Sequence, residues 1–163
     1  MTRMSHIDDS GVAKMVDVGG KPQSVRVARA RGTISMDQTT LDAIRSNALQ
    51  KGDVLGVARI AGIMAAKRTS EMIPLCHPIF LSDIKVDFSL DESLPGVRVE
   101  TRASTTGQTG VEMEALTAAA IALLTVYDMA KSIDRGMTIA GISLLEKSGG
   151  VSGDWKHPET ISD

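Results

Sequence analysis

A long alanine-rich segment constrains the fold of this chain more than any other feature. Residues Val111 to Asp134 have helical character, with Lys131 near the carboxyl end and Gly136 as the terminator. Before it, Ile79–Leu90 and Gly96–Ser104 alternate apolar and polar side chains, which predicts two strands joined as a hairpin. The second half of the chain is therefore predicted to contain a β-hairpin followed by a long helix.

The first half of the chain predicts one strand and two helices. Ser24–Met36 reads as a strand, and a bulge is expected at Val27–Ala28 because the apolar positions change there from odd to even. Helices are predicted over Thr39–Gln50 and Val54–Thr69, with Gly52 ending the first and Asp53 capping the second. A last strand is expected over Met137–Leu145.

The order β-α-α-β-β-α-β predicts an α+β, ferredoxin-like fold, with an antiparallel four-stranded sheet and helices packed on one face. One domain over residues 1–163 is expected, partly flexible at about 1–22 and 148–163. The other sheet face must be covered, often by another subunit. Ala58, Gly62 and Ala66 form a small-residue stripe that fits either tight packing within the chain or a subunit interface.

Composition excludes several classes of function. Aromatic residues make up only 2% of the chain and the net charge is -2, which argues against stacking on single-stranded nucleic acid and against duplex binding. Cys76 is the only cysteine, so neither an intrachain disulfide nor a multi-thiolate zinc site can form. Without a signal-peptide pattern, and with the uncharged run Ala115–Tyr127 too short to span a bilayer, a cytoplasmic protein without membrane partners is expected.

Two prolines fix a turn around the most informative cluster, Leu75-Cys76-His77. A histidine on a rigid loop suits phosphate contact or proton transfer, because its charge can be adjusted near neutral pH. A purely structural turn is an equally good interpretation of the spacing. Cys76 could be a nucleophile, although a buried small apolar side chain is the commoner case.

Charged residues gather at the ends of the predicted elements. Lys67 is either a basic helix cap or a phosphate ligand. Glu112 and Glu114 open the long helix, where they are either partners of the helix dipole or acceptors for a guanine-like ring edge. With Lys51 and Lys147 also at element ends, the pattern suggests a small polyanionic ligand and acid–base chemistry.

Asp128 and Lys131 are three residues apart and share one face of the long helix. Spacing alone favours an ordinary surface ion pair over a catalytic pair. Glu114 and Asp128 would lie about 21 Å apart along the helix axis. Either one of them is structural, or the two serve equivalent sites in different subunits.

Seven short strings of the chain resemble the MoaC family of cyclic pyranopterin monophosphate synthases. The likeness extends over roughly residues 5 to 156, and its most specific parts are Pro-Leu-Cys-His-Pro and Thr-Gly-Val-Glu-Met-Glu-Ala-Leu. The strings occupy residues 15–18, 51–53, 65–69, 73–78, 109–116, 127–129 and 147–150.

The resemblance implies a ferredoxin-like subunit in a homohexamer, a trimer of dimers with active sites at the dimer interface. It implies conversion of a cyclised dihydro-GTP, a nucleotide-derived small molecule, to cyclic pyranopterin monophosphate and pyrophosphate in molybdenum cofactor biosynthesis. No obligatory cofactor or protein-held metal is expected, although Mg²⁺ could accompany the substrate phosphates.

The resemblance also implies roles for individual residues. Asp128 would be the catalytic acid/base, with Lys51 and Lys131 as its partners. The residues that would bind substrate are Leu75, Cys76, His77, Glu112, Met113, Glu114, Lys67 and Lys147. Two other classes compete with this enzyme: a non-catalytic nucleotide sensor using the same lysines and histidine, and a purely structural assembly subunit that leaves the proline-fixed turn unexplained.

Overall fold

The computed structural model describes residues 10–158, whose strands form one antiparallel sheet in the order β2-β3-β1-β4-β5. The strands are β1 (Ser24–Ser35), β2 (Asp83–Asp91), β3 (Gly96–Gly107), β4 (Thr138–Ser148) and β5 (Trp155–Lys156). The helices are α1 (Gln38–Arg45), α2 (Val54–Ala66), α3 (Thr69–Met72) and α4 (Glu112–Ala130). Helix α4 lies across β1 and β3, and α2 packs beside it.

This architecture confirms the predicted α+β, ferredoxin-like class, but the sheet has five strands instead of four. The additional strand, β5, pairs Trp155 with Lys147 and Lys156 with Glu146 at one edge of the sheet. Two residues are too few to show an alternating pattern, so the sequence placed them in a polar tail. The predicted flexibility at 1–22 and 148–163 falls partly on residues 1–9 and 159–163, which lie outside the described part of the chain.

The predicted bulge at Val27–Ala28 is wrong in position, since the register shifts of β1 lie further along, against β4, between Arg29 and Ala30 and between Arg31 and Thr33. Strand β1 pairs with β3 without interruption from Ser24 to Ser35, and its even-numbered positions face inward throughout. Arg26 is only 8% exposed, and its guanidinium donates to the carbonyls of Gly107 and Gln108. The odd-numbered Val25 points out and is 66% exposed. The polar Arg26 at an inward position therefore made the apolar alternation of the sequence look as if it changed from odd to even positions.

The helices differ from their predicted bounds mainly at the carboxyl ends. Helix α1 ends at Arg45, and the segment predicted to complete the second helix contains a break followed by the separate short helix α3. The junction before α2 is as predicted. Gly52 has a left-handed φ of 84°, and the Asp53 carboxylate accepts a hydrogen bond of 2.9 Å from the Gly56 amide.

The small-residue stripe packs within the chain. Ala58, Gly62 and Ala66 are all buried. A Cβ at Gly62 would lie 2.9 Å from the Ala118 carbonyl oxygen and 3.3 Å from the Ala122 methyl carbon, both on α4. The absence of a side chain at Gly62 therefore allows α2 and α4 to approach closely, and the stripe no longer argues for a subunit interface.

Helix α4 is the core helix of the subunit. It is 19 residues long with a mean hydropathy of 1.4, enough by length and composition to cross a membrane. However, 56% of this apolar stretch is buried within the protein, against the sheet and α2. The buried core helix of a globular protein has the same length and composition, so α4 is weak evidence for a membrane span. Its small inward side chains, such as Ala115, Ala119 and Ala122, are fully buried.

We expect Gly62→Val to lower the free energy of unfolding by about 1–3 kcal/mol, since the added carbons meet a backbone carbonyl that cannot rotate away. Urea denaturation would measure this change. Ala61→Val is the matched control, because Ala61 is half-buried and lines a surface hollow between α2, α3 and α4. Equal destabilisation by the two substitutions would contradict the assignment of Gly62 as the helix contact.

Candidate active site

Three charged side chains from two distant parts of the chain meet at the carboxyl end of α4. Lys131 Nζ lies 2.7 Å from Asp128 Oδ1, and Lys51 Nζ lies 3.0 Å from Asp128 Oδ2. Lys51 also donates to the backbone carbonyl of Asp128 at 2.9 Å. The carboxylate is thus held between two ammonium groups, and the three side chains remain about half exposed, at 46%, 55% and 53% for Lys51, Asp128 and Lys131.

The two lysines determine the ionisation of the carboxylate. Hydrogen bonds from Lys131 first and Lys51 second, with their positive charges, lower the pKa of Asp128. Asp128 is therefore a carboxylate at neutral pH, able to accept a proton and flanked by two donors. We call Lys51, Asp128 and Lys131 the lysine–aspartate cluster.

A second group of predicted residues lines a cavity of about 250 Å³ at the other end of α4. Its walls come from the proline-fixed turn after α3 and from the first turn of α4 with the preceding loop. The lining residues are Leu75, Cys76, His77, Ile79, Thr109, Gly110, Glu112, Met113 and Glu114. Six of these were predicted as substrate-binding residues, and the fold brings all six to one cavity.

Burial raises the pKa of two groups in this cavity, the Glu114 carboxyl and the Cys76 thiol. Glu114 is only 3% exposed, and desolvation, with a smaller contribution from Glu112, raises the pKa of Glu114 to about 7. Desolvation, with a smaller contribution from Glu114, also raises the pKa of the Cys76 thiol, which keeps it protonated. A thiolate nucleophile is disfavoured here. A glutamate that gains or loses its proton near neutral pH can hydrogen-bond a heterocycle in either state.

His77 is oriented by the amino-terminal segment. Its Nε2 atom lies 2.8 Å from the carbonyl oxygen of Val16. A carbonyl can only accept, so this contact places the ring proton on Nε2. Nδ1 is then the nitrogen left for a ligand: it carries a lone pair in the neutral ring and becomes a donor to phosphate in the protonated ring.

The two remaining predicted lysines occupy different places. Lys147 on β4 lies 3.4 Å from Glu112 and donates to Ser152 at 2.7 Å, so it stands beside the cavity. Lys67 is exposed directly after α2 and is not part of the cavity lining.

Within one chain, the cavity and the lysine–aspartate cluster remain separate. Because α4 is continuous from Glu112 to Ala130, the rise per residue puts Glu114 and Asp128 about 21 Å apart along its axis. The two groups of predicted residues are therefore each assembled, but at opposite ends of the same helix.

Some residues of the site were not predicted from the sequence. Ile79, Thr109 and Gly110 complete the cavity, and Val16 orients His77. Thr109 and Gly110 precede the acidic first turn of α4, and this position could have identified them as site residues. Val16 lies in the family string at residues 15–18, but its side chain gave no sign of a role, because its contribution is a backbone carbonyl that reaches the turn from 61 residues away.

Comparison with known proteins identifies the family of the chain. The sequence model of the MoaC family matches residues 15–150, which include both the cavity and the lysine–aspartate cluster. The chain is 60% identical over 159 residues to the cyclic pyranopterin monophosphate synthase of Novosphingobium aromaticivorans, a match that covers 98% of this chain and 100% of that protein. The chain therefore belongs to the MoaC family.

Proposed function

We propose that the chain converts (8S)-3′,8-cyclo-7,8-dihydroguanosine 5′-triphosphate to cyclic pyranopterin monophosphate and pyrophosphate. It is a lyase of molybdenum cofactor biosynthesis, with residues 1–163 as one synthase domain. The observation that carries the proposal is the lysine–aspartate cluster, in a chain that belongs to the MoaC family and resembles a synthase over nearly its full length.

The reaction has two chemical requirements, and the predicted residues can meet both. Release of pyrophosphate requires that a sugar hydroxyl attacks the phosphorus nearest the sugar, while the bond from that phosphorus to the pyrophosphate breaks. Negative charge then builds on the phosphates. Lys67, Lys147 and His77 would stabilise that charge. A Mg²⁺ ion would enter with the triphosphate, not in a site of the protein's own.

Rearrangement of the heterocycle requires several proton transfers. Asp128, whose pKa the two ammonium groups lower, would relay protons as a carboxylate between these groups and the substrate. Lys51 and Lys131 each place an ammonium group within 3.0 Å of it and would return protons to the substrate. In the cavity, Leu75, Cys76, Met113 and the two glutamates would hold the guanine-derived ring.

A complete site would then combine two chains. The separation of the cavity from the lysine–aspartate cluster supports an active site at a dimer interface, within a homohexamer built as a trimer of dimers. The outer face of the helical layer supports an interface as well, because it exposes large apolar side chains. Ile60, Met64 and Leu124 are 60%, 49% and 53% exposed.

A non-catalytic nucleotide sensor of the same fold remains the competing function. It would need cationic and cavity residues, but it would not need a carboxylate held between two lysines. Incubation of the purified protein with the cyclised dihydro-GTP separates the two, since only the enzyme releases pyrophosphate. For the cell compartment we propose the cytoplasm, in keeping with the single thiol of the chain.

Light scattering is expected to give the mass of a hexamer of this 17.3 kDa chain. The physical reason is the exposed apolar face together with the divided site. A monomeric protein with full activity would refute the composite site. A stable dimer with full activity would leave the shared site in place and refute only the trimer of dimers.

Substitution of His77 or Lys67 by Ala should weaken substrate binding about ten- to hundredfold, because each removes a charge-assisted contact to phosphate worth roughly 1.5–3 kcal/mol. Calorimetric titration with substrate would measure the affinity. Lys85→Ala is the control, since it removes an exposed lysine from β2. Unchanged binding in both folded variants would place the triphosphate elsewhere.

Asp128→Asn and Lys131→Ala should each reduce the rate of product formation at least about a hundredfold, since a general acid/base contributes roughly 10²–10⁴-fold. An exposed ion pair three residues apart on a helix would contribute only about 0.2–0.5 kcal/mol to stability. The measurement is pyrophosphate release by folded protein of normal oligomeric state.

Asp42→Asn is the matched control for this prediction. Asp42 and Arg45 form an exposed pair of the same spacing on α1, with 2.8 Å between the charged atoms. Its loss should leave the rate unchanged. A folded Asp128 or Lys131 variant that retained more than about a tenth of the wild-type rate would remove that residue from the catalytic machinery.

A further inference from the structure

The Gln108 side chain, just after β3, holds the amino-terminal segment before β1 at two points. The Gln108 amide nitrogen donates to the carbonyls of Gly19 and Lys21, at 3.0 and 2.9 Å. Around these points the segment is folded by its own contacts, since the Lys21 amide donates to Val18 O and the Gly19 amide to the Asp17 carboxylate. Gln108 therefore contributes to the defined path of the segment just after Val16.

Gln108 is itself held by a buried cation. Arg26, which is 8% exposed, donates from Nη2 to the Gln108 carbonyl and from Nε to the Gly107 carbonyl. A Cβ at Gly150 would fall 2.0 Å from Arg26 Nη1, so the backbone of that glycine closes over the guanidinium. The end of β3 is thus rigid where the Gln108 side chain leaves it.

The same segment carries the carbonyl that orients His77. Val16, three residues before Gly19, accepts from His77 Nε2 at 2.8 Å. A continuous series of hydrogen bonds and backbone therefore runs from buried Arg26 through Gln108 and the amino-terminal segment to the imidazole.

The imidazole needs this support because it lies between two hollows. His77 lines the candidate substrate cavity of about 250 Å³ and also a neighbouring cavity of about 300 Å³. The second cavity has Val18 and Gln108 in its walls, so it lies directly under the amino-terminal segment. With a cavity on each side of the ring, the hydrogen bond to the Val16 carbonyl is the polar contact that defines its orientation.

We propose that Gln108 is a positioning residue, which fixes the tautomer and orientation of His77 for substrate binding through the carbonyl of Val16. The effect on substrate rests on the proposed function, whereas the effect on the imidazole does not. Gln108 does not line the candidate substrate cavity, so it acts through His77 and not by contact with substrate.

The first test reads the ring directly in the full-length protein. The chain has three histidines, so nitrogen NMR of His77 is assignable by comparison with a His77→Ala sample. At pH 8.5, where an ordinary imidazole is neutral, wild type should show the proton on Nε2 alone. In Gln108→Ala and Gln108→Glu the two ring nitrogens should move toward averaged shifts. Unchanged His77 shifts in both folded variants would overturn the proposal.

The second test uses kinetics and a double-mutant cycle. Gln108→Ala should raise KM about three- to tenfold, the value of the single hydrogen bond between His77 and Val16, with kcat changed less than about twofold. In the His77→Ala background the same substitution should add almost nothing, because the two residues act as one unit. A full effect of Gln108→Ala in that background would assign Gln108 a role independent of His77.

Gln38→Ala is the control for both tests, since the Gln38 amide makes a comparable exposed hydrogen bond, to Asp42, and Gln38 lines neither cavity beside His77. It should leave both the His77 shifts and KM at wild-type values. If wild type does not turn over the cyclised dihydro-GTP, the proposed function fails. The NMR result still decides whether Gln108 orients His77.

Discussion

The contact between α2 and α4 is the interaction on which the rest of the structure depends. Small residues face each other there, so the two backbones pack closely, with no room for a Cβ at Gly62. This contact sets where α2 begins and thus where Lys51, three residues before it, is placed. Because α2 starts beside the carboxyl end of α4, the lysine reaches Asp128 across 77 positions of sequence. Close packing in the core therefore builds the charged cluster at the surface.

The place of Asp128 on α4 conflicts with helix electrostatics. The carboxyl end of a helix carries partial negative charge and favours cations, so a carboxylate two residues before the last helical position is unfavourable on its own. Lys131 at the C-cap of α4 and Lys51 from the loop before α2 offset that cost, because they place an ammonium group on each side of the carboxylate. An acidic group placed against the local rule, and then supported by two cations, is typical of a residue retained for chemistry.

Local patterns in the sequence predicted much of this structure. Alternation found β2 and β3, helical spacing found α4, and turn chemistry found the Gly52–Asp53 junction. The patterns could not show that Arg26 is buried, because its partners are backbone carbonyls 81 and 82 residues away. The same limit applies to the carbonyl that orients His77, whereas the Lys51–Asp128 pair was predicted from the family resemblance and not from local patterns. In each case a long-range contact supplies the partner, and the local sequence carries no trace of it.

If each site is composite, as proposed, a rigid helix with one group of site residues at each end would require a specific geometry of assembly. A continuous α-helix cannot bend enough to bring Glu114 and Asp128 to one ligand. If two such helices pack antiparallel about a twofold axis, the Glu114 end of one lies beside the Asp128 end of its partner, and the reverse contact forms at the same time. One isologous interface would thus complete two equivalent sites. The length of α4 then determines the distance between them, and the exposed apolar face of the helical layer is where that interface would form.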